Sequence, residues 1–189
     1  MTNNLNEFIE KNVKDIENML ADLLSQIQAP KRLRESMAYS VQAGGKRIRP
    51  LLILATLEDL GTTSKDALTV ACAVELIHTY SLIHDDLPSM DNDDFRRGKP
   101  TNHKVYGDAM AILAGDAMQT MAFEILTNLE ETRPEVALKL IQLLTVASGA
   151  EGMVAGQVLD IEGEKMSLTI EQLEQIHFEQ NRRTSFILH

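Results

Sequence analysis

Five carboxylates and two guanidinium groups fall within one short stretch, Asp85-Asp86-Leu87-Pro88-Ser89-Met90-Asp91-Asn92-Asp93-Asp94-Phe95-Arg96-Arg97-Gly98. Asp85, Asp86 and Asp91 form a carboxylate cluster at the end of an apolar helical segment, and the arginine pair follows within a few residues. Carboxylates alone repel an anion, and arginines alone would bind one without a metal. The two sets together point to a diphosphate held through Mg²⁺. A helix end running into a solvated acidic loop is the ordinary explanation of a lone Asp-Asp pair, so the remaining motifs decide between the two.

The elements that must position this cluster read as helices. Apolar residues recur at three- and four-residue spacing through Phe8, Ile9, Val13, Ile16, Leu20, Leu23 and Leu24, which predicts a helix from near residue 4 to near 27. Pro30 ends it, and a second helix passes through Met37 and Val41 to Gly44-Gly45. Further helices are predicted at about 51–60, 65–87, 106–129, 134–150 and 169–180, with no strand pattern of period two competing. The chain therefore reads as all-α. His78 and Asp85 are seven residues apart, nearly two turns, and share a face with Leu82 between them. Pro88 conflicts with the carbonyl of His84, so the helix is expected to end near the Asp pair and to let Asp91 turn back toward it.

The 189 residues suffice for one domain with a sizeable core, and 44% hydrophobic with 24% charged residues is ordinary for a globular protein. A net charge of −10 argues against nucleic-acid or anionic-membrane partners, so an anionic substrate would need a local basic cluster or a metal. The N-terminus lacks a basic-then-apolar leader and no unbroken apolar run approaches a membrane span, which predicts a cytoplasmic protein. Cys72 lies alone in an apolar helical run and reads as an inert core thiol.

Four ordered motifs carry a resemblance. Gly44-Gly45-Lys46-Arg47-Ile48-Arg49-Pro50, the Asp85 to Asp91 segment with Arg96-Arg97-Gly98-Lys99-Pro100-Thr101, Ile112-Leu113-Ala114-Gly115-Asp116-Ala117, and Gly152 to Asp160 are similar to those of the trans-polyprenyl diphosphate synthases. The similarity runs from about residue 40 to 177 and is strongest to the bacterial branch that makes farnesyl diphosphate. It implies a single synthase domain over 1–189, built as an isoprenoid-synthase-type helical bundle. It also implies Mg²⁺-assisted ionisation of an allylic diphosphate (dimethylallyl or geranyl), attack by isopentenyl diphosphate, and a homodimer.

The resemblance assigns roles residue by residue. Asp85 and Asp91 would ligate metal, with Asp86 a supporting carboxylate and Arg96 on the allylic diphosphate. Arg97, Lys46, Arg49 and His78 would hold isopentenyl diphosphate. Guanidinium forks match phosphate oxygens two at a time. Gln157 and Asp160, three apart, share a helix face and would line the pocket opposite the first cluster. Tyr80, about 7.5 Å along the helix axis before Asp85, with the small Ser81 beside it, would limit the length of the growing chain. A core tyrosine is the alternative for Tyr80, and a surface pair for Gln157 and Asp160.

The C-terminus departs from the family pattern. A Lys-Thr-Gly segment and a second aspartate-rich motif are expected after Ile176-His177, yet the chain reads Phe178-Glu179-Gln180-Asn181-Arg182-Arg183-Thr184-Ser185-Phe186 and ends at His189. The bundle is thus expected to be C-terminally incomplete. Gln180 to Thr184 can be encoded as CAA AAC AGG AGA ACT, and removing the first base gives AAA ACA GGA GAA CT, which reads Lys-Thr-Gly-Glu-Leu. Residues from about 180 to 189 are therefore expected to be out of frame. The alternatives to a farnesyl-forming transferase are a noncatalytic diphosphate-binding or regulatory subunit and an inactive, shortened synthase.

Overall fold

Periodic apolar positions become helices almost wherever they occur. The computed structural model describes residues 2–62 and 64–164, and the chain divides into two compact units, Met1–Thr132 and Arg133–His189. In the first unit α1 (Thr2–Gln26), α2 (Lys31–Val41), α3 (Ile48–Asp59) and α4 (Asp66–Asp85) are followed by a small hairpin, β1 (Phe95–Arg96) and β2 (Lys99–Pro100), then α5 (Asn102–Tyr106) and α6 (Asp108–Thr127). The second unit holds α7 (Pro134–Ser148) and α8 (Met153–Glu164). The expected helix at 169–180 and the expected out-of-frame segment lie outside the described residues.

α4 is the central element of the first unit. It packs along α6 and is also in contact with α1, α2 and α3. Every residue from Ala71 to Ile77 is buried, the signature of a helix that is apolar around its circumference. Ile16 and Leu20 from α1, Met37 from α2 and Met118 and Leu126 from α6 close the core around it, all at most 1% exposed. Each such side chain contributes about 1.5–3 kcal/mol by leaving water. Small residues let α6 come close: a Cβ on Gly115 would collide with the imidazole of His84, so only glycine permits that approach.

Three features depart from the helical expectation. The stretch predicted as one helix over 106–129 is two, α5 and α6, broken at Gly107 with φ 86°. α3 begins at Ile48 rather than 51, because Pro50 fits in a first turn, where its missing N–H has no partner to lose. The two-residue strands β1 and β2 pair Phe95 with Pro100 and Arg96 with Lys99, around Arg97 (φ 54°) and Gly98 (φ 75°). Two successive positive φ values match the twist of a tight hairpin turn. Strands this short carry no periodicity for a sequence to display.

Three helical stretches, Asp66–Asp85, Asp108–Thr127 and Pro134–Gly163, are long and apolar enough to cross a membrane, with mean hydropathies of 1.3, 1.2 and 1.2. Helix length and mean hydropathy meet the requirement for a span here although no unbroken apolar run does. Within the first unit, the apolar faces of α4 and α6 are turned toward each other.

Asp66 fastens the start of α4 to the end of the unit. Its carboxylate accepts hydrogen bonds from the N–H groups of Glu130, Glu131 and Thr132 and from the Thr132 hydroxyl, at 2.7–3.0 Å. Burial pushes its pKa up, but these hydrogen bonds outweigh burial and hold it below the usual carboxylate value. Asp66→Ala is expected to lose roughly 2–3 kcal/mol in urea unfolding at pH 7. A depressed pKa means that this contribution is fully present above the ordinary carboxylate range and is lost as pH falls below it, so the difference between parent and variant should shrink on acidification.

Candidate active site

The end of α4 is where the acidic motif acquires its shape. The helix stops at Asp85, and the N–H of Leu87 reaches back to the His84 carbonyl at 3.2 Å. The chain then turns about Leu87, whose carbonyl accepts from Met90 (2.9 Å) and Asn92 (3.1 Å), with Asn92 left-handed at φ 54°. The N–H of Asp91 returns to the carbonyl of Asp85 at 2.9 Å. The turn after Pro88 thus brings Asp91 beside Asp85. Burial, then the Asp91 charge, pushes the Asp85 carboxyl up to about 6.

Asp86 behaves differently. It is 3% exposed and takes a fork from Arg96, Nε at 2.7 Å and Nη2 at 2.6 Å, both on Oδ1, while Asp93 lies 3.7 Å from the same Nη2. Asp86 therefore aims Arg96, and the hydrogen bond it accepts raises the guanidinium pKa further. The hairpin that carries Arg96 is pinned from below. Thr101 donates to the Asp93 carbonyl at 2.7 Å, Asn102 accepts from the Ser36 hydroxyl and donates to the Ser36 carbonyl and the Ser40 hydroxyl of α2, each at 2.8 Å, and Tyr39 donates to the Pro100 carbonyl at 2.7 Å.

A cleft of about 450 Å³ opens where the glycine turn before α3 faces α4 and the hairpin, lined by Lys46, Arg47, Arg49, Glu75, His78 and Arg97 among others. Four of the residues expected to hold one diphosphate, Lys46, Arg49, His78 and Arg97, thus share one wall system. Arg97 reaches it by packing its guanidinium flat on Gly45, where a Cβ would approach it to 2.5 Å. Arg49 Nη1 lies 3.5 Å from His78 Nε2. Burial, then Arg49 and Arg97, drives His78 down to about 4, so the imidazole is neutral near pH 7. Burial and the nearby Arg47 also lower Arg97.

Tyr80 is buried within α4, 6% exposed, stacks edge-on with His84 at 5.7 Å between ring centroids, and accepts from Gln119 of α6 at 3.4 Å. Burial, then Asp85, raises its phenol pKa. The Ser81 hydroxyl donates to the His78 carbonyl at 3.0 Å. Gln157 and Asp160 lie on α8 of the second unit. Cys72 is fully buried with its thiol pushed up to about 12 by burial, as an inert core thiol requires. Residue spacing did not single out Arg47 and Glu75, which meet at 2.7 Å beneath the cleft. The signal was a carboxylate in the middle of an apolar run, which has to find a cation if that run is buried.

Among the described residues no three His, Cys, Asp or Glu side chains converge into a self-sufficient metal cage. That suits Mg²⁺, which keeps waters and takes one or two carboxylates together with substrate phosphates. Within the described residues the Asp85 and Asp91 side chains form no hydrogen bond or ion pair, and burial and the Asp91 charge raise the Asp85 pKa although Arg96 nearby pulls it down. Both fit a metal ligand.

A family model described as Polyprenyl synthetase matches residues 30–188. The chain belongs to the polyprenyl synthetase family, and its fold is that of the isoprenoid synthases. It is 56% identical over 90% of its length to a farnesyl diphosphate synthase of Geobacillus stearothermophilus and 52% identical over its whole length to one of Bacillus subtilis, covering 58% and 63% of those proteins. It is also 46% identical, over 92% of its length and 48% of the relative's, to the large subunit of a heterodimeric geranylgeranyl pyrophosphate synthase of Arabidopsis thaliana. The crystal structure of an FPP/GFPP synthase from Zymomonas mobilis superposes with a TM-score of 0.90 at 45% identity, covering all of this chain and 69% of that one. The chain thus spans about three fifths of the length of the curated farnesyl relatives it matches.

The two perturbed groups pull stability in opposite directions. His78 is depressed from 6.5 to about 4, so the fold resists its protonation and loses stability as pH falls from 6.5 toward 4. Asp85 is raised from 3.8 to about 6, so the fold resists its ionisation and loses stability as pH rises through that interval. In metal-free urea titrations, His78→Gln should lose less stability than the parent between pH 6.5 and 4. Asp85→Asn should be the more stable protein above pH 6, with the gain gone near pH 4. Parallel pH profiles for parent and variants would contradict both assignments.

Proposed function

We propose that this chain forms the substrate-binding front of a prenyltransferase that condenses isopentenyl diphosphate with dimethylallyl or geranyl diphosphate to give farnesyl diphosphate. The observation that carries the reading is the pairing of two open carboxylates, Asp85 and Asp91, with a separate cationic cleft containing Lys46, Arg49, His78 and Arg97. One region accepts a diphosphate through a metal, the other accepts a diphosphate directly. Two such sites on one unit suit two diphosphate substrates, and the farnesyl diphosphate synthases among the relatives support the product.

The residues divide the work. Asp85 and Asp91 would hold Mg²⁺, which when bound would supply positive charge to a diphosphate leaving with the electron pair of the allylic C–O bond. Arg96, held in place by Asp86, faces the same diphosphate with the charge that develops on it. Lys46, Arg49 and Arg97 anchor isopentenyl diphosphate so that its double bond meets the allylic cation, a proton being lost as the new C–C bond forms. Neutral His78 offers a hydrogen bond without adding a further cation to that cleft. Tyr80, backed by Ser81, blocks further elongation. The reading carries with it a cytoplasmic homodimer.

Incubation of the purified chain with Mg²⁺, geranyl diphosphate and radiolabelled isopentenyl diphosphate should yield label in an acid-labile product of farnesyl length. Asp85→Asn should lower that yield about a hundredfold or more. Pyrophosphate binding without any labelled product would overturn turnover by a chain of this length. Tyr80→Ala should shift the product toward longer chains, and unchanged farnesyl product from this variant would remove Tyr80 from the role.

A further inference from the structure

Among the described residues lining the cationic cleft, Glu75 is the one carboxylate. An uncancelled negative charge there would oppose any diphosphate entering between Lys46, Arg49 and Arg97. Its side chain is 3% exposed, and the Arg47 side chain that meets it is 2% exposed. Arg47 Nη1 donates to Glu75 Oε1 at 2.7 Å, Nη2 donates to the Val41 carbonyl at 2.7 Å, and Glu17 of α1 lies 3.7 Å from Nη2. The Nε of Arg47 is buried with no partner among the described residues. Its backbone is left-handed, φ 49°, and its carbonyl accepts the first hydrogen bond of α3 from Leu51 at 3.0 Å. A buried arginine with an orphaned donor in a strained conformation is costly in three separate ways, and the cleft residues Lys46 and Arg49 lie one position before it and two after it.

We infer that Arg47 is a positioning residue for the isopentenyl-side diphosphate: it cancels Glu75 beneath the cleft and pins the left-handed turn from which Lys46 and Arg49 project. The inference rests on the diphosphate reading of that cleft. Arg47 itself spends its donors on the protein, so its effect on the ligand passes through Glu75 and through the turn. Replacing only Arg47 leaves a buried carboxylate facing the incoming anion. Replacing both partners with apolar groups removes the repulsion, because a buried ion pair is readily substituted as a whole and poorly broken by halves.

The test is titration of the full chain with inorganic pyrophosphate by calorimetry, with folding of each variant checked by circular dichroism. Arg47→Met should weaken binding about tenfold or more, the scale of one uncancelled charge at this range. The double variant R47M/E75L should return to within about threefold of the parent, and Glu75→Gln, which keeps an oxygen acceptor for Arg47 while removing the charge, should bind as tightly as the parent or more so. In the turnover assay the Arg47→Met defect should appear in KM for isopentenyl diphosphate with kcat largely kept, a split that general loosening of the fold would not give. If R47M folds and binds like the parent, or if R47M/E75L is as impaired as R47M, the positioning role is wrong. If R47M does not fold, weakened binding by Glu75→Gln overturns the role and retained binding supports it. A parent chain that does not bind pyrophosphate at all would instead overturn the diphosphate reading of the cleft, and this inference with it.

Discussion

A helix enclosed on every side leaves a charged side chain only two places to go: against a partner inside, or out past the helix end. α4 is such a helix, buried continuously from Ala71 to Ile77. Glu75 takes the first course and meets Arg47, as does Asp86, buried against Arg96 just past the helix, while Asp85 takes the second at the C-terminal end. His78 sits between, where burial strips its proton. Enclosing α4 thus sorts the charges by position along one axis, with the cationic cleft at its middle and the Asp85/Asp91 carboxylates at its end.

That separation sets the electrostatics. Carboxylates and guanidinium groups packed into one cluster would neutralise one another in ion pairs, and little free charge would remain for a ligand. Here each location has one close buried pair, and other charges around it are kept out of such pairs. Asp86 with Arg96 braces the rim, Arg47 with Glu75 braces the cleft, and Asp85, Asp91, Lys46 and Arg49 form no ion pair among the described residues. Rigid pairs hold the two locations, and the unmatched charges face outward from them.

Much of this was legible in the chain itself. Helical periodicity located α1, α4 and α7 to within two or three residues, and the steric conflict of Pro88 with His84 correctly ended α4 and folded Asp91 back. Lys46, Arg49, His78 and Arg97 were grouped by resemblance, and they do line one cleft. What escaped has a physical cause in each case. The break at Gly107 is one residue in an otherwise helical pattern, the hairpin strands are too short to alternate, and Asn102 and Thr101 act through hydrogen bonds to α2 and to the acidic loop that no spacing rule encodes. Arg47 looked like one more cation in a basic turn, because only the fold shows that its side chain points away from solvent.

The hairpin turn has a consequence for how such a protein changes over generations. Arg97 holds φ 54°, a conformation that glycine or asparagine adopts more cheaply, and it does so with its guanidinium laid on Gly45. Backbone comfort and cleft charge are therefore opposed at a single codon. Under selection for thermal persistence alone, with no demand for ligand, this position is among the first where a substitution would be rewarded, and the stabler descendants would arrive with a weaker cleft. Arginine at that turn is thus what a demand on the charge of the cleft would keep, and glycine what a demand on the turn alone would favour.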